Sequence, residues 1–469
     1  MRNRVQFSSR KQVNSLKIWT KRGHLLSKPK HRNPAQQTFL HADLIDQLNP
    51  KNPLLQLARK IDWSVFEHEF APLYSHLGKP NKHIRLMVGL SILKHLENLS
   101  DEVLVQRWVQ NPYYQAFCGE IEFQWQLPCD PTSLTHFRKR IGVGGHEKIL
   151  AASIVLHAEK VVQEDEICID TTVQEKNITF PTDAKQYRKI HGKLLKLARR
   201  AGLSLDRTYA KEVKQLKQHT RFATHPKNRR KARKAVKRLK TISGRLMRAV
   251  TRQMNAEQLD QYADQLALFE RMLEQTRSDK HKLYSLHEPH VYCMSKGKAH
   301  QRYEFGTKAS VATTRDSSII IGALAFDQNQ YDAHTLPAVM AQIKRVVNMT
   351  PVVGIADRGY RGKSKVNDTR IVTPKPARKN ASKEAIELAR KRFRRRAGIE
   401  PVIGHLKSDH RLKRNFLKGF EGDQINLIMA AAAFNFRKWV RAIIFWLYYL
   451  LNSVKLMMSG QPLLLNHLP

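Results

Sequence analysis

Phe393, Arg396, Glu400 and Lys407 follow one another at intervals of 3, 4 and 7 in the basic stretch KRFRRRAGIEPVIGHLKSDHRLK. On a helix the first three share a face, and Lys407, close to two turns beyond Glu400, rejoins it. A lone carboxylate among guanidinium and ammonium groups suits chemistry on a phosphodiester. Glu400 would hold a divalent cation, while Arg396 and Lys407 would neutralise the phosphates on either side. Charged helices are common, so these four residues do not establish the reading alone. Two aspartates add to them. Asp170 closes the apolar run I-C-I-D ahead of Thr171 and Thr172, and Asp357 closes V-V-G-I-A-D. Either aspartate by itself could be a turn former at a strand end. With Glu400 only 43 positions beyond Asp357, the three make an all-oxygen set of the kind Mg²⁺ prefers.

These residues need elements to hold them. EICIDTTVQE alternates and is rich in β-branched residues, and NITFPTD reads as a second strand closed by Pro181. Strand character returns in YEFGTKASVATT and SSIIIGALAFD. The helix AHTLPAVMAQIKRVV follows, with Asp332 just ahead of it. An apolar strand ending at Asp357, the shorter RIVTPKP and the helix bearing Glu400 complete the order. Between the first strands and the rest lies a helical interval, about 185–280, dense in Lys and Arg. Ala232, Leu239 and Leu246, with Ala235, Ile242 and Ala249 between them, form a short heptad seam there. Leu259, Tyr262, Leu266, Phe269 and Leu273 mark a further helix, and Gly202 and His225-Pro226 mark breaks. The interval is too polar to be a core, so it reads as a helical arm set into an α/β domain. It either holds DNA or is a solvated hairpin.

Ahead of the first strand, residues 41–145 read as helices. Leu86, Leu90, Leu93 and Leu96 lie at helical spacing, Ser100 offers an N-cap to a helix carrying Val103, Leu104 and Trp108, and Thr132 offers another after Asp130-Pro131. A basic last helix with His136, Arg138, Lys139 and Arg140 could bind DNA or simply present a solvated face.

Across 469 residues, 83 Lys and Arg against 40 Asp and Glu give a net charge of +43, spread along most of the chain. Such a balance calls for a polyanion, usually nucleic acid; a ribosomal or membrane-surface role stays open on charge alone. Four cysteines without a CxxC pair argue for a reducing compartment and against a disulfide scaffold or zinc ribbon. His287 and His290 lack the partners a zinc site needs. No secretory signal is visible. Residues 1–40, free of Asp and Glu, read as a disordered basic arm or a start codon called too early. The apolar run Ile443 to Leu451 is about half the roughly 20 residues a bilayer requires, so it reads as a buried or interface helix with no membrane span.

At this point the chain resembles the DDE transposases of bacterial insertion sequences, in the branch marked by a Tyr-Arg-Glu-Lys signature. That signature runs Y-x2-R-x3-E-x6-K; this chain has F-x2-R-x3-E-x6-K, with Phe393 in place of the tyrosine. CIDTTVQEKNITFPTD, HQRYEFGTKASVATT and GIADRGYRG also resemble blocks of that family, and the similarity covers roughly residues 40–440. The resemblance implies an RNase H-like catalytic fold with Asp170, Asp357 and Glu400 as the catalytic, metal-binding triad, loaded with Mg²⁺ or in its place Mn²⁺. It implies DNA contacts from Phe393, Arg396, Lys407 and Arg358. The Phe393 ring is left to packing or base stacking. Arg358 and Tyr360 either shape the site or build a turn. It further implies that water cuts a phosphodiester at the element end and that the freed 3′-hydroxyl attacks target DNA, with no protein nucleophile. The partners are then double-stranded DNA, at element ends and target, and at least a second copy of the chain on that DNA. The location is the prokaryotic cytoplasm, at the nucleoid.

The expected fold is α/β: an RNase H-like catalytic domain (151–184 and 285–440) interrupted by a basic helical insertion (185–284). A basic arm (1–40) and an all-helical DNA-binding domain (41–150) precede it, and a helix and tail (441–469) follow. The insertion falls between the two aspartates, 187 positions apart; better-known members with this signature carry a mainly β insertion after the second. A catalytically silent DNA-binding regulator and a junction resolvase are the competing readings. The intact triad argues against the first, the helical N-terminal region and signature spacing against the second.

Overall fold

The computed structural model describes residues 43–75, 81–276, 278–295, 302–374 and 382–458, and for 445–458 the backbone alone. The expected basic arm (1–40) lies outside these residues, as do the side chains of the apolar run beyond Ile444. Seven helices come first: α1 (Pro53–Lys60), α2 (Trp63–Phe70), α3 (Ile84–Leu96), α4 (Asp101–Gln110), α5 (Pro112–Phe117), α6 (Pro131–Val155) and α7 (Ala158–Val162). Ser100 caps α4 as expected, accepting from the Val103 N–H. Thr132 does not cap α6. Asp130 does, accepting from the Thr132 N–H, which leaves Pro131 at a first-turn position where no N–H is missed.

The sheet begins with β1 (Glu166–Glu175). Four helices then intervene: α8 (Asp183–Arg200), α9 (Ala210–His219), α10 (Pro226–Gln253) and α11 (Ala256–Glu274). The chain returns as β2 (Tyr292–Ser295), β3 (Tyr303–Thr314), β4 (Ile320–Phe326), α12 (Asp332–Val347), β5 (Val353–Ile355), β6 (Lys365–Val366) and β7 (Thr369–Val372). It continues in α13 (Lys383–Arg396), α14 (Ile399–Ser408) and α15 (Gly419–Met458). β3 pairs antiparallel with β1, β2 and β4, whereas β5 runs parallel to both β1 and β7, so the sheet is mixed.

NITFPTD is not a strand. The ladder ends with Lys176 bridging Asn415, and the chain then runs to Thr182, whose side chain caps α8. Pro181, which has no N–H to give a ladder, fits a lead-in better than a strand. The expected helix through Phe393 and Lys407 is likewise two, parted at Ala397 and Gly398, where the Gly398 N–H reaches back to the Arg395 carbonyl.

One continuous cluster of buried side chains runs from Leu57 in α1 through Ile167 and Val311 in the sheet to Phe436 in α15. The N-terminal helices and one face of the sheet therefore share a core. Helices α8 to α11 have their own, built on Tyr187, Ile190, Leu194, Leu239, Ile242, Leu246 and Phe269. The α10 seam passes through Ala232, Ala235, Leu239, Ile242 and Leu246 but ends on Val250, not Ala249. A straight helix drifts off a seven-residue repeat in just this way.

Candidate active site

Backbone register sets the first two carboxylates level. Glu166, Ile167 and Cys168 of β1 pair with Val353, Gly354 and Ile355 of β5, each pair separated by 187 positions. Asp170 and Asp357 have the same separation and lie two residues past the last pair, so both fall on one pleat face at the end of the shared ladder. Asp170 does not end its own strand, which continues to Glu175; it sits where the parallel neighbour stops. Asp357 caps a short 3-10 turn, Arg358–Tyr360, by accepting from the Gly359 N–H at 2.7 Å.

The third carboxylate arrives on α14. Ile399 is buried with Cys168, Val353 and Ile355, while Phe393, Ile403 and Val372 pack against that cluster. This apolar contact fastens the α13–α14 junction across β1 and β5, leaving Glu400, in the first turn of α14, at the outer side. Of the two uses left open for the Phe393 ring, packing is the one its contacts describe.

Arg396, in the last turn of α13, lies among all three acids. Its Nη2 donates to Asp170 Oδ2 at 3.0 Å and stands 3.8 Å from Asp357 Oδ2, while Nη1 is 4.0 Å from Glu400 Oε1. Exposure rises outward: the Asp170 and Arg396 side chains are 16% exposed, Asp357 39% and Glu400 68%. The sequence put Arg396 on DNA phosphates; in this structure it is on the carboxylates.

Neighbouring arginines are similarly engaged. Arg392 binds Glu166, which also takes Arg315, and Arg395 binds Asp316. Burial alone would raise the Glu166 carboxyl, but hydrogen bonds from Arg392 and Arg315 outweigh it and hold the group below the usual range. Lys407 is half-buried near the end of α14, seven residues from Glu400 and so about 10 Å along the helix. Arg358 is exposed beside Asp357, and Tyr360 is fully buried.

A fourth carboxylate was missed as a site residue. Asp332, in the first turn of α12, accepts from the Thr171 hydroxyl at 3.0 Å and from Lys308 Nζ at 2.8 Å. A methyl placed on Gly359 would meet Asp357 Oδ1 at 2.9 Å and Asp332 Oδ2 at 3.0 Å, so the two acids flank that glycine. Burial, together with Asp170, Asp332 and Asp357 nearby, pushes the Tyr360 phenol well above its ordinary value and keeps it neutral. The local sequence marks Asp332 only by its place just ahead of a helix; its partners are 24 and 161 residues away.

The donor set suits a divalent ion of the Mg²⁺ and Mn²⁺ class, because Asp170, Asp357 and Glu400 offer hard carboxylate oxygens. A cationic group already sits between them. Among the described residues no three His, Cys, Asp or Glu side chains are gathered closely enough to chelate an ion as they stand. Chemistry and charge thus fit, with the Arg396 guanidinium filling the space.

Residues 42–140 match a family described as a transposase domain (DUF772), and residues 278–436 match one described as a transposase DDE domain. The second match takes in Asp357 and Glu400 and begins beyond Asp170. An uncharacterized protein, ORF8 in the nfe locus of Rhizobium meliloti, is 39% identical over 191 residues, 40% of this chain and 92% of that protein. No solved structure matches. Among the described residues no helix is long and apolar enough to cross a membrane. The chain belongs to the DDE transposases of insertion sequences.

Proposed function

We propose that this transposase binds the terminal inverted repeats of its element and catalyses metal-dependent strand cleavage followed by strand transfer, through Asp170, Asp357 and Glu400. The observation that carries the proposal is that Asp170 and Asp357 each lie two residues past the last pair of the parallel β1–β5 ladder, with Glu400 brought to the same guanidinium. The mixed sheet, in which β3 runs antiparallel to β1, β2 and β4 and β5 runs parallel to β1 and β7, with Asp170 on β1 and Asp357 just past β5, supports an RNase H-like catalytic fold. The preserved R-x3-E-x6-K spacing supports the Tyr-Arg-Glu-Lys branch.

Bound at the triad, Mg²⁺ or Mn²⁺ would activate the attacking oxygen and stabilise the leaving one. The chain's own part is to hold Asp170 on β1, Asp357 just past β5 and Glu400 on α14, keep Tyr360 neutral, and offer Arg358 and Lys407 to phosphates flanking the scissile bond. Residues 151–184 and 285–440 form the catalytic domain in this reading, 41–150 the DNA-binding domain and 185–284 the inserted arm. The arm's α10 turns a continuous basic face to solvent, including Lys231, Lys234 and Lys237, which suits the backbone of a duplex. Two ends must be joined in one event, so at least a dimer on DNA is expected, at the nucleoid of a prokaryotic cytoplasm.

The test is strand cleavage of a labelled duplex carrying the element's terminal repeat, with Mg²⁺ or Mn²⁺, comparing the native protein with Asp357→Ala. Cuts at the repeat boundary that vanish in the variant support the proposal. Specific binding with no cut under any divalent metal would favour a silent regulator instead.

A further inference from the structure

We propose that Arg396 is a resident counter-cation of the triad, held there in the absence of DNA and drawn off by a DNA phosphate, so that the carboxylates accept a divalent cation well only once DNA is engaged. The inference rests on the triad reading above and adds an order of assembly to it.

Three features of Arg396 carry it. First, its position serves all three acids at once: Asp170 at 3.0 Å, Asp357 at 3.8 Å and Glu400 at 4.0 Å. Only one of these is within hydrogen-bond reach, and Arg396 Nε is buried with no hydrogen-bond partner. A guanidinium has five N–H donors in a fixed fork, so this seat is favourable in sign of charge but poorly satisfied in hydrogen bonds. Second, the side chain can leave without its helix. Arg392 on Glu166 and Arg395 on Asp316 hold the last turns of α13, and Phe393 and Ile399 pack the junction onto the sheet. Third, the exit faces outward. Glu400 and Asp357, the more exposed acids, stand on the side a duplex would approach, with Arg358 exposed beside them.

A phosphate matches the planar fork of Arg396 in two parallel hydrogen bonds, which the three divergent carboxylates do not supply. Moving Arg396 to such a phosphate removes its positive charge from the acids, which increases their attraction for a divalent cation. The same cation and Arg396 compete for the same oxygens when DNA is absent. Coupling of this kind is reciprocal: whatever DNA does for cation affinity, the cation does for DNA affinity through the same side chain.

The test is Mn²⁺ binding to the full-length protein, read as loss of the free-ion electron paramagnetic resonance signal. Native protein, Arg396→Gln, Arg396→Lys and Asp170→Ala are each titrated without DNA and with a duplex carrying the terminal repeat. Without DNA, Arg396→Gln should bind Mn²⁺ more tightly than native protein, by about 5- to 150-fold as is usual for coupled sites. Arg396→Lys, which keeps a cation, should lie between them. The duplex should tighten Mn²⁺ binding to native protein and do little for Arg396→Gln. Equal affinities in native protein and a folded Arg396→Gln, or a duplex without effect on native protein, would overturn the proposal while leaving the triad intact. Mn²⁺ binding that Asp170→Ala does not weaken would remove the triad reading and this inference with it. If Arg396→Gln melts too low to titrate, the Lys variant and the effect of the duplex on native protein decide the matter.

Discussion

Lys176 and Asp423 form an ion pair of 2.6 Å in which the two side chains are 1% and 0% exposed. Lys176 directly follows β1, the strand of Asp170, and Asp423 lies in the first turns of α15. Around them Asn415 donates to Asp423, Lys176 donates to the Gly419 carbonyl, and Glu288 accepts from the Gly419 N–H. The far end of the catalytic strand is thereby tied to the longest helix and to the segment that returns from the helical arm. Lys176 Nζ also stands 3.5 Å from the buried Glu288 carboxylate, so removing the lysine strands two buried acids. Lys176→Met should therefore cost about 3–5 kcal/mol, read as a lower midpoint in denaturant. A loss under 1 kcal/mol would mean that water, or His290 at 3.3 Å from Glu288 and 3.5 Å from Asp423, takes over the role of the lysine. Adding Asp423→Leu should recover part of the loss.

Asp332 orders the strand beside the site through Thr171 and Lys308 without touching the reacting atoms in this reading, so it is a positioning residue. Asp332→Ala should slow cleavage by about 10- to 100-fold, the usual cost of losing an orienting partner. Asp332→Asn, which still offers Thr171 an acceptor, should fall less. The comparison is made at matched duplex affinity. If Asn and Ala lower the rate equally, the orientation of Thr171 is not what matters.

The exposed face of α10 makes a quantitative claim about salt. Each phosphate contact contributes about 0.9 to the slope of log K against log salt on duplex DNA. Changing Lys231, Lys234 and Lys237 together to Gln should flatten that slope by up to about 2.7 if all three touch the duplex. These side chains project away from the α8–α11 core, so the melting temperature should hardly move. An unchanged slope would identify the face as merely solvated.

Buried histidines give the fold an acid limit. Burial lowers His146 and His410 to about 4 each, and His95 falls well below its ordinary value for the same reason. The unfolded chain takes up these protons below about pH 6.5, the folded chain only below about 4. Between the two values the unfolded state binds more protons, so stability is lost as pH falls through that window. His146 alone should account for about 3 kcal/mol by the bottom of it. Denaturant midpoints at pH 7 and pH 5 check this, and His146→Gln should lessen the difference. A flat profile from pH 7 to 4.5 would show that these rings are protonated in the folded state.

What could be read from the sequence follows the reach of the interactions. Ser100 as a cap, the α10 seam as far as Leu246, and the strand character around Asp170 and Asp357 all depend on neighbours a few residues away. Residue spacing records such neighbours directly. NITFPTD looked like a strand because its residues favour one, but a strand needs a partner, and the ladder there ends at Lys176. The break at Ala397 and Gly398 was hidden because the Arg, Glu and Lys spacing fits a continuous helix equally well. The seat of Arg396 among the carboxylates is not legible in the sequence: a basic residue in a DNA-binding chain suggests a phosphate, while its partner Asp170 lies 226 positions away. Asp332 was passed over for a related reason, since nothing in its local sequence points to Thr171.

The equal offset of 187 positions in the β1–β5 ladder and between the two aspartates has a bearing on how such chains can change. Neighbouring strands stand about 4.8 Å apart whatever the length of chain that joins them. The distance between Asp170 and Asp357 is thus fixed by hydrogen bonds and is independent of contour length. Helices α8 to α11, with a core of their own, behave as a cassette on that detour. Lengthening, exchanging or losing them would alter what the protein reaches for and leave the geometry of its two aspartates as it was.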